Sequence, residues 1–140
     1  MKKEIKIAVV EDNVYLNKVL TKYLQGICTP SNYPGFQFQW HSYLNAHDCI
    51  ETMETDLDIM ILDYVLMNDE EDDILTATDV LKELQHLNES CKVIVFSGQT
   101  SPYITTQLMK SGVYEYVDKN TNGNDRLGAV VQQLIKRIAA

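Results

Sequence analysis

Five side chains that could act together in one reaction stand at or just after apolar segments that lie far apart in the sequence. They are Glu11, Asp12, Asp63, Ser97 and Lys119. If the three carboxylates share a pocket, each like-charged pair at ~4 Å costs about 4 kcal/mol at an effective dielectric of about 20. A divalent cation relieves this repulsion, and oxygen ligands that leave room for water favour magnesium. The set therefore predicts a Mg2+ site beside a hydroxyl donor and a lysine.

Phosphoryl transfer to a carboxylate is the reaction that this combination supports best. Asp63 can act as the nucleophile and form an aspartyl phosphate, which is an established covalent route. A bound cation would hold a phosphoryl oxygen and screen the nucleophile. Lys119 would supply the remaining positive charge, and Ser97 would supply a hydroxyl donor. Polar residues are also common at strand ends simply because strand ends meet water, so the prediction depends on all five residues lying together.

The hydropathy pattern predicts a scaffold that could bring these distant segments together. Apolar runs typical of buried strands alternate with helical patterns five times. We predict strands at Ile5–Val10, Phe36–His41, Ile59–Asp63, Val93–Ser97 and Tyr114–Asp118. We also predict five helices. The first begins after Asn13, the second runs from Asn45 to about Thr55, and the third includes Val80, Leu81, Leu84 and Leu87. The fourth runs from Pro102 to about Ser111, and the fifth runs from about Asp125 to Ile138.

Helical spacing of apolar residues predicts the faces that the first and last helices bury. In the first helix these residues are Val14, Leu16, Val19, Leu20, Tyr23 and Leu24. In the last helix they are Leu127, Val130, Val131, Leu134, Ile135 and Ile138. Asn13 can cap the first helix, and Gly112 is expected to end the fourth.

Apolar strands separated by helices favour a parallel sheet that is covered by helices on both faces. We therefore expect an α/β, doubly wound domain with five strands and five helices, and we treat residues 1–140 as a single domain. Right-handed crossovers that reverse direction once give the strand order 2-1-3-4-5. In that order, strands one, three, four and five lie side by side, and their carboxyl ends bring the five site residues to one edge of the sheet.

Composition and charge argue against several other classes of protein. A net charge of −8 opposes binding to a polyanion, so we expect no direct contact with nucleic acid. No apolar run approaches the roughly 20 residues of a membrane span, and the first residues do not resemble a signal peptide, so we expect a cytoplasmic protein. Cys28, Cys49 and Cys91 lack metal-ligand spacing and are expected to be free thiols. The acidic run at residues 68–73 lacks the glycine of a calcium loop.

Four segments resemble the signature segments of response-regulator receiver domains, the CheY-like family of two-component signalling. They are residues Ala8–Asn13, Ile61–Asp63, Val95–Gly98 and Tyr116–Lys119. The resemblance extends over nearly the whole chain, and the spacing of the four segments is specific. It implies the flavodoxin-like form of the doubly wound fold.

The resemblance implies a role for each acidic residue of the set. Glu11 and Asp12 match the acidic pair that holds Mg2+ in the family, and Asp63 matches the phosphoacceptor. Val65, two residues after the acceptor, would give Mg2+ its backbone carbonyl.

The resemblance also implies how phosphorylation would be reported. Ser97 matches the hydroxyl residue that reorients toward the phosphoryl group, and Lys119 matches the lysine of the family's site. Tyr116 matches the aromatic switch residue, and Gly98 matches a small residue that leaves the acceptor open. The implied function is a phosphorylation-dependent signalling switch, a phosphoprotein that catalyses only its own phosphorylation and dephosphorylation. The implied partners are a sensor histidine kinase or a histidine phosphotransfer protein, and a homodimer partner on the face of helix 4, strand 5 and helix 5.

The sequence departs from the family pattern in three places. Asn120 stands where the family has a proline after the lysine, and the segment after Asp63 lacks the usual Pro and Asp-Gly. The loop before strand two, which we assign to residues Gly26–Gly35, is also longer than a usual connection. None of these departures removes a chemical group, so we expect activity to survive.

Two other interpretations use the same residues. Haloacid-dehalogenase-like phosphatases also have a nucleophilic aspartate, a Ser or Thr and a lysine, but they need an acid two residues after the nucleophile, where this chain has Val65. A pseudo-receiver would keep the fold without being phosphorylated. Such modules usually lose an acid or the lysine, and all of these are present here. Binding of beryllofluoride would separate a pseudo-receiver from a phosphorylated receiver.

Overall fold

A computed structural model describes residues 4–64, 77–98, 102–120 and 122–139. These residues form five strands and five helices that alternate along the chain. The strands β1 to β5 are Glu4–Val10, Gln37–Tyr43, Ile59–Leu62, Lys92–Ser97 and Glu115–Asp118. The helices α1 to α5 are Val14–Ile27, Ala46–Thr52, Ala77–Leu87, Pro102–Lys110 and Gly123–Ala139.

The strands form one parallel sheet in the order β2-β1-β3-β4-β5. The register places Val10 opposite Leu62, and Leu62 opposite Val95, so the three central strands end at the same edge. At the next pair, Ser97 lies opposite Asp118. The predicted α/β, doubly wound fold and its strand order are confirmed.

Strands β1, β3 and β4 are buried on both faces, which explains why they read as continuous apolar runs, whereas the edge strands β2 and β5 are partly exposed. Successive side chains point to opposite faces, so β1 contributes to two separate cores. Ile5, Ile7 and Val9 pack in the cluster that includes α1 and α5. Ala8 and Val10 pack in the cluster that includes α2 and α3. Strand β1 is therefore held by packing on both of its faces.

The predicted buried face of α1 is wrong in part. Leu20 and Leu24 are buried, but Val14, Leu16 and Val19 are 50, 45 and 40% exposed. Apolar residues occupy more than half of the circumference of this helix, whereas the sheet covers only one side of it. The third residue on the buried side is polar, because Asn17 is only 2% exposed.

The predicted buried faces of α5 and α3 agree better with the structure. In α5, Leu127, Val131, Leu134 and Ile135 are buried, while Val130 and Ile138 are partly buried against the same cluster. In α3, Leu87 is 43% exposed, because it is the last residue of the helix, whereas Val80, Leu81 and Leu84 are buried.

Some predicted boundaries shift by several residues. Strand β2 continues to Tyr43 because its whole length pairs with β1. Helix α1 continues through Gly26, which we had assigned to the following loop, and α2 ends three residues early at Thr52. Helix α5 starts at Gly123, two residues before the predicted Asp125. Asn13 caps α1 as predicted, since its side chain accepts from the Leu16 amide at 2.9 Å.

Candidate functional site

Backbone hydrogen bonds fix the chain where the site residues leave the strands. The Asp63 amide donates to the carbonyl of Val10 at 3.0 Å, and the Lys119 amide donates to the carbonyl of Ser97 at 3.2 Å. The Glu11 amide donates to the carbonyl of Tyr43 at 3.1 Å. The parallel ladder thus extends one residue beyond the strands and holds the start of each connecting loop.

The three acids predicted to bind a cation lie together at this edge. Carboxylate oxygens of Glu11, Asp12 and Asp63 all lie within 4.8 Å of one another. Glu11 is 3% exposed and Asp63 is 8% exposed, whereas Asp12 is partly exposed. This donor set fits Mg2+, because it offers hard oxygen ligands and one open side that can retain water.

Lys119 supplies positive charge to the acidic cluster. Its ammonium contacts the Glu11 carboxylate and lies 3.1 Å from Asp63 Oδ2. Burial alone would lower the pKa of Lys119, but the hydrogen bond to Glu11 and the attraction of Asp63 outweigh it, so the pKa lies above its usual value. The side chain also lies over the Phe96 ring, with Nζ 5.7 Å from the ring centroid. Lys119 is therefore charged at neutral pH and lies against the carboxylates of Glu11 and Asp63.

Ser97 presents a hydroxyl group that has no hydrogen-bond partner among the described residues. The residue is 1% exposed and ends β4, the strand next to the one that Asp63 follows. A buried polar group without a partner costs about 1–3 kcal/mol. The hydroxyl therefore keeps an unused hydrogen-bond donor at the carboxyl end of β4, as far as the described residues show.

Tyr116 is linked to Ser97 through the main chain. Its hydroxyl donates to the Ser97 carbonyl at 3.0 Å and lies 3.1 Å from Asp118 Oδ1. The ring is partly buried and packs against the core cluster that includes Leu108 of α4. The two residues predicted to form a switch are thus in contact, and Tyr116 belongs to the strand that packs against α4.

The remaining residues implied by the resemblance are less informative. Val65 and the acidic residues 68–73 lie outside the described residues. At Gly98, an added Cβ would lie 3.5 Å from Lys119 Cβ, which is an ordinary contact. No peptide bond between described residues is cis, so the Lys119–Asn120 bond is trans.

The sequence analysis missed Asn17, which is buried beside the β1–α1 turn. The signal was present in its spacing, because residues 17, 20 and 24 share one side of a helix and the other two are leucines. A polar residue in such a row indicates a specific hydrogen-bonding partner.

Comparisons with solved structures find receiver domains. A signal receiver domain from Vibrio parahaemolyticus has a TM-score of 0.73 at 21% identity, over 96% of this chain and 92% of that one. The beryllofluoride-activated receiver domain of DrrB, a Thermotoga maritima protein, has a TM-score of 0.73 at 19% identity, over 95% and 98%. The response regulator TrrA from Thermotoga maritima, in complex with Mg2+ and beryllofluoride, has a TM-score of 0.69 at 20% identity, over 93% and 98%. No protein-family model and no curated protein matches the chain.

The chain therefore has the flavodoxin-like, CheY-like fold of response-regulator receiver domains. The fold of these neighbours agrees with the strand order and the five flanking helices described above. Within the described part of the chain, none of the helices combines the length and the apolar character needed to cross a bilayer.

Proposed function

We propose that this chain is a phosphorylation-dependent signalling switch that accepts a phosphoryl group on Asp63 in the presence of Mg2+. The observation that carries the proposal is the cluster of Glu11, Asp12 and Asp63 within 4.8 Å, with Lys119 bound to two of its members. These groups lie at the edge of a receiver fold, where ligands of doubly wound sheets bind. In this role the chain catalyses only its own phosphorylation and dephosphorylation.

The transfer itself needs a nucleophile and a leaving group. One Asp63 carboxylate oxygen attacks the phosphorus atom and forms an O–P bond, while the bond between phosphorus and the donor breaks and its electron pair leaves with the donor. We propose that the donor is the phosphohistidine of a sensor histidine kinase or of a histidine phosphotransfer protein, so the leaving group is an imidazole.

The residues around Asp63 would stabilise the charge that moves during transfer. Glu11, Asp12 and Asp63, with the backbone carbonyl of Val65, would hold Mg2+, which supplies charge neutralisation at the phosphoryl oxygens. Lys119 would pair with the phosphoryl group from its position 3.1 Å from Asp63 Oδ2. Ser97 would donate its hydroxyl, which has no described partner, to a phosphoryl oxygen.

Phosphorylation would then be reported through Ser97 and Tyr116. The phosphoryl group adds about two negative charges and strong acceptor oxygens next to the end of β4. Movement of the Ser97 hydroxyl toward it would change the environment of Tyr116, whose hydroxyl bonds to the Ser97 carbonyl. We propose that the face of α4, β5 and α5 carries the result to a partner or a second copy of the chain. We further propose that the protein is cytoplasmic and acts through contacts with other proteins. It would not bind DNA itself, because its net charge of −8 opposes contact with a polyanion.

A small phosphodonor provides the decisive experiment. Incubation with acetyl phosphate and Mg2+ should add one phosphoryl group to the intact mass, and the Asp63→Asn variant should gain none. Excess chelator should abolish labelling of the wild-type protein. A phosphorylated Asp63→Asn variant, or full labelling in chelator, would show that the proposed acceptor or its metal requirement is wrong. An unlabelled wild-type protein that also fails to bind beryllofluoride would favour a pseudo-receiver.

A further inference from the structure

Two buried asparagines stand out among the buried polar residues of the described chain. Asn17 is 2% exposed and Asn88 is 6% exposed. Asn17 lies in the first half of α1, close to the turn that carries Glu11 and Asp12. Asn88 follows α3, at the opposite end of the sheet, where its amide bridges the Leu57 amide and the Glu54 carbonyl. The pair thus offers one buried amide near the candidate site and one far from it.

The Asn17 side chain uses all of its hydrogen-bonding groups. Its Nδ2 donates to the carbonyl of Glu11 at 3.1 Å and to the carbonyl of Tyr43 at 3.2 Å. Its Oδ1 accepts from the hydroxyl of Ser42 at 2.5 Å and from the hydroxyl of Thr21 at 3.3 Å. Both N–H groups of Nδ2 reach carbonyl oxygens, and Oδ1 faces two hydroxyl donors. Exchanging the nitrogen and oxygen of the amide would break these bonds, so only one orientation of the side chain fits.

The Glu11 carbonyl that Asn17 holds belongs to the peptide unit that joins Glu11 to Asp12. The orientation of this unit sets the direction in which both acidic side chains leave the main chain. The Glu11 amide on the other side of the residue donates to the same Tyr43 carbonyl that Asn17 contacts. The first acid is therefore held at its amide and its carbonyl, and both attachments involve the end of β2.

We propose that Asn17 is a positioning residue that orients Glu11 and Asp12 for Mg2+ binding, with Ser42 orienting the Asn17 amide. The inference rests on the proposed function, since it assigns a support to the same metal site. A leucine would fit the buried row of α1 as well as an asparagine does, but it would leave the Glu11 carbonyl without the Asn17 donor and the Tyr43 carbonyl with the Glu11 amide alone. An aspartate would present oxygen atoms to those carbonyls. Neither residue could reproduce the contact that Asn17 makes.

The test compares Asn17→Leu with Asn88→Leu. Both substitutions have similar volume, remove a buried amide and leave main-chain groups unpaired, so both should lower stability toward urea. Only Asn17→Leu should weaken Mg2+ binding in calorimetric titration, by roughly tenfold, as expected for a residue that orients a metal ligand. Asn88→Leu should stay within about twofold of wild type, because the two sites are distant and independent.

A second readout needs neither metal nor phosphodonor. In metal-free protein, amide hydrogen exchange at residues 11–16 should be faster in Asn17→Leu than in wild type, and unchanged there in Asn88→Leu. Ser42→Ala, a milder change, should give a smaller loss of Mg2+ affinity in the same direction. If Asn17→Leu does not fold, wild-type Mg2+ affinity in Ser42→Ala overturns the proposal.

The outcomes separate this inference from the proposed function. Wild-type Mg2+ affinity in a folded Asn17→Leu variant overturns the positioning role, and so does an equal loss of affinity in Asn88→Leu. In both cases phosphorylation of wild-type Asp63 would leave the proposed function standing. Failure of the wild-type protein itself to bind Mg2+ and to be phosphorylated overturns both.

Discussion

Lys119 and Asp63 are 56 positions apart in the sequence, yet Lys119 Nζ lies 3.1 Å from Asp63 Oδ2. The same ammonium contacts the carboxylate of Glu11. Lys119 follows the edge strand β5, whereas the two acids follow β1 and β3, and neither of these strands pairs with β5. The ion pairs therefore reach across β4 and connect the edge of the sheet to the ends of β1 and β3.

Removal of this cation should destabilise the metal-free protein. In chelator, Lys119→Met should lower the free energy of unfolding by about 1–3 kcal/mol, since Glu11 and Asp63 lose the ammonium that contacts them both. The expected loss is smaller than for a fully buried pair, because the Lys119 side chain is 25% exposed and solvent screens part of the attraction. Addition of Mg2+ should stabilise the variant more than the wild type. Urea unfolding measures both effects. The control is Lys18→Met, which removes a lysine from the exposed side of α1. Equal stability of Lys119→Met and Lys18→Met would contradict the prediction.

Ser97→Ala should have opposite effects on stability and on ligand binding. Removing a buried hydroxyl that has no described partner should leave the free energy of unfolding unchanged or raise it by up to ~1 kcal/mol. Ser111→Ala is the comparison for a hydroxyl that does have a partner, on an exposed residue, and it should cost up to about 1 kcal/mol, since the Ser111 hydroxyl donates to the Leu108 carbonyl at 2.8 Å. Beryllofluoride should bind Ser97→Ala more weakly than wild type. Destabilisation equal to that of Ser111→Ala would mean that the Ser97 hydroxyl is structural.

Tyr116→Phe should uncouple the site from α4. The variant keeps the ring but loses the hydroxyl that donates to the Ser97 carbonyl at 3.0 Å. Crystal structures with and without beryllofluoride should show Ser97 and Tyr116 moving in the wild type, and a reduced response of α4 in the variant. Tyr114→Phe, which alters a tyrosine just before β5, should behave like wild type. If neither side chain moves in the wild type and α4 is unchanged, the switch is refuted, although phosphorylation at Asp63 could still stand.

Gly123 and Gly26 should respond oppositely to alanine. A Cβ at Gly123 would lie 2.6 Å from the carbonyl oxygen of Asp118 and 3.2 Å from the Phe96 ring, so the start of α5 must shift away from β5. We expect Gly123→Ala to cost about 1–3 kcal/mol. A Cβ at Gly26, within α1, would meet no atom within 4 Å, and Gly26→Ala should stabilise by about 0.5 kcal/mol. Thermal or urea unfolding distinguishes the two, and a tolerated Gly123→Ala would show that α5 is not tightly packed at its start.

Stability should fall above about pH 9 because of buried thiols. Burial raises the pKa of Cys28 and of Cys49 from 9.0 to about 12. The folded protein keeps these protons while the unfolded chain loses them, so this contribution is complete below pH 9 and is lost as the pH rises toward 12. The loss should be on the order of 1 kcal/mol per thiol per pH unit. Urea unfolding between about pH 9.5 and 11 should show a shallower decline for Cys49→Ala than for wild type; identical slopes would contradict the buried state of this thiol.

The sequence by itself determined the fold and the edge of the sheet at which the site lies. Five strand patterns separated by helical patterns leave few arrangements that bury the most apolar strands on both faces. In such a sheet, a residue that follows a strand must lie at the carboxyl edge, so Asp63 and Lys119 could be assigned to one place from their positions alone. Their chemical roles remain predictions, which the experiments above address.

The tertiary structure decided which side of α1 is buried and which partners the polar groups have. Hydropathy predicted that Leu16 and Val19 face the core, yet both are exposed while Asn17 is buried. Likewise, spacing could not predict the ion pairs of Lys119, nor that the Ser97 hydroxyl has no partner in the part of the chain that the structure describes. The physical reason is that periodicity specifies only which residues share a side of an element. Partners depend on distances of a few ångströms between atoms of elements that are remote in sequence, and only the packed sheet and helices fix those distances.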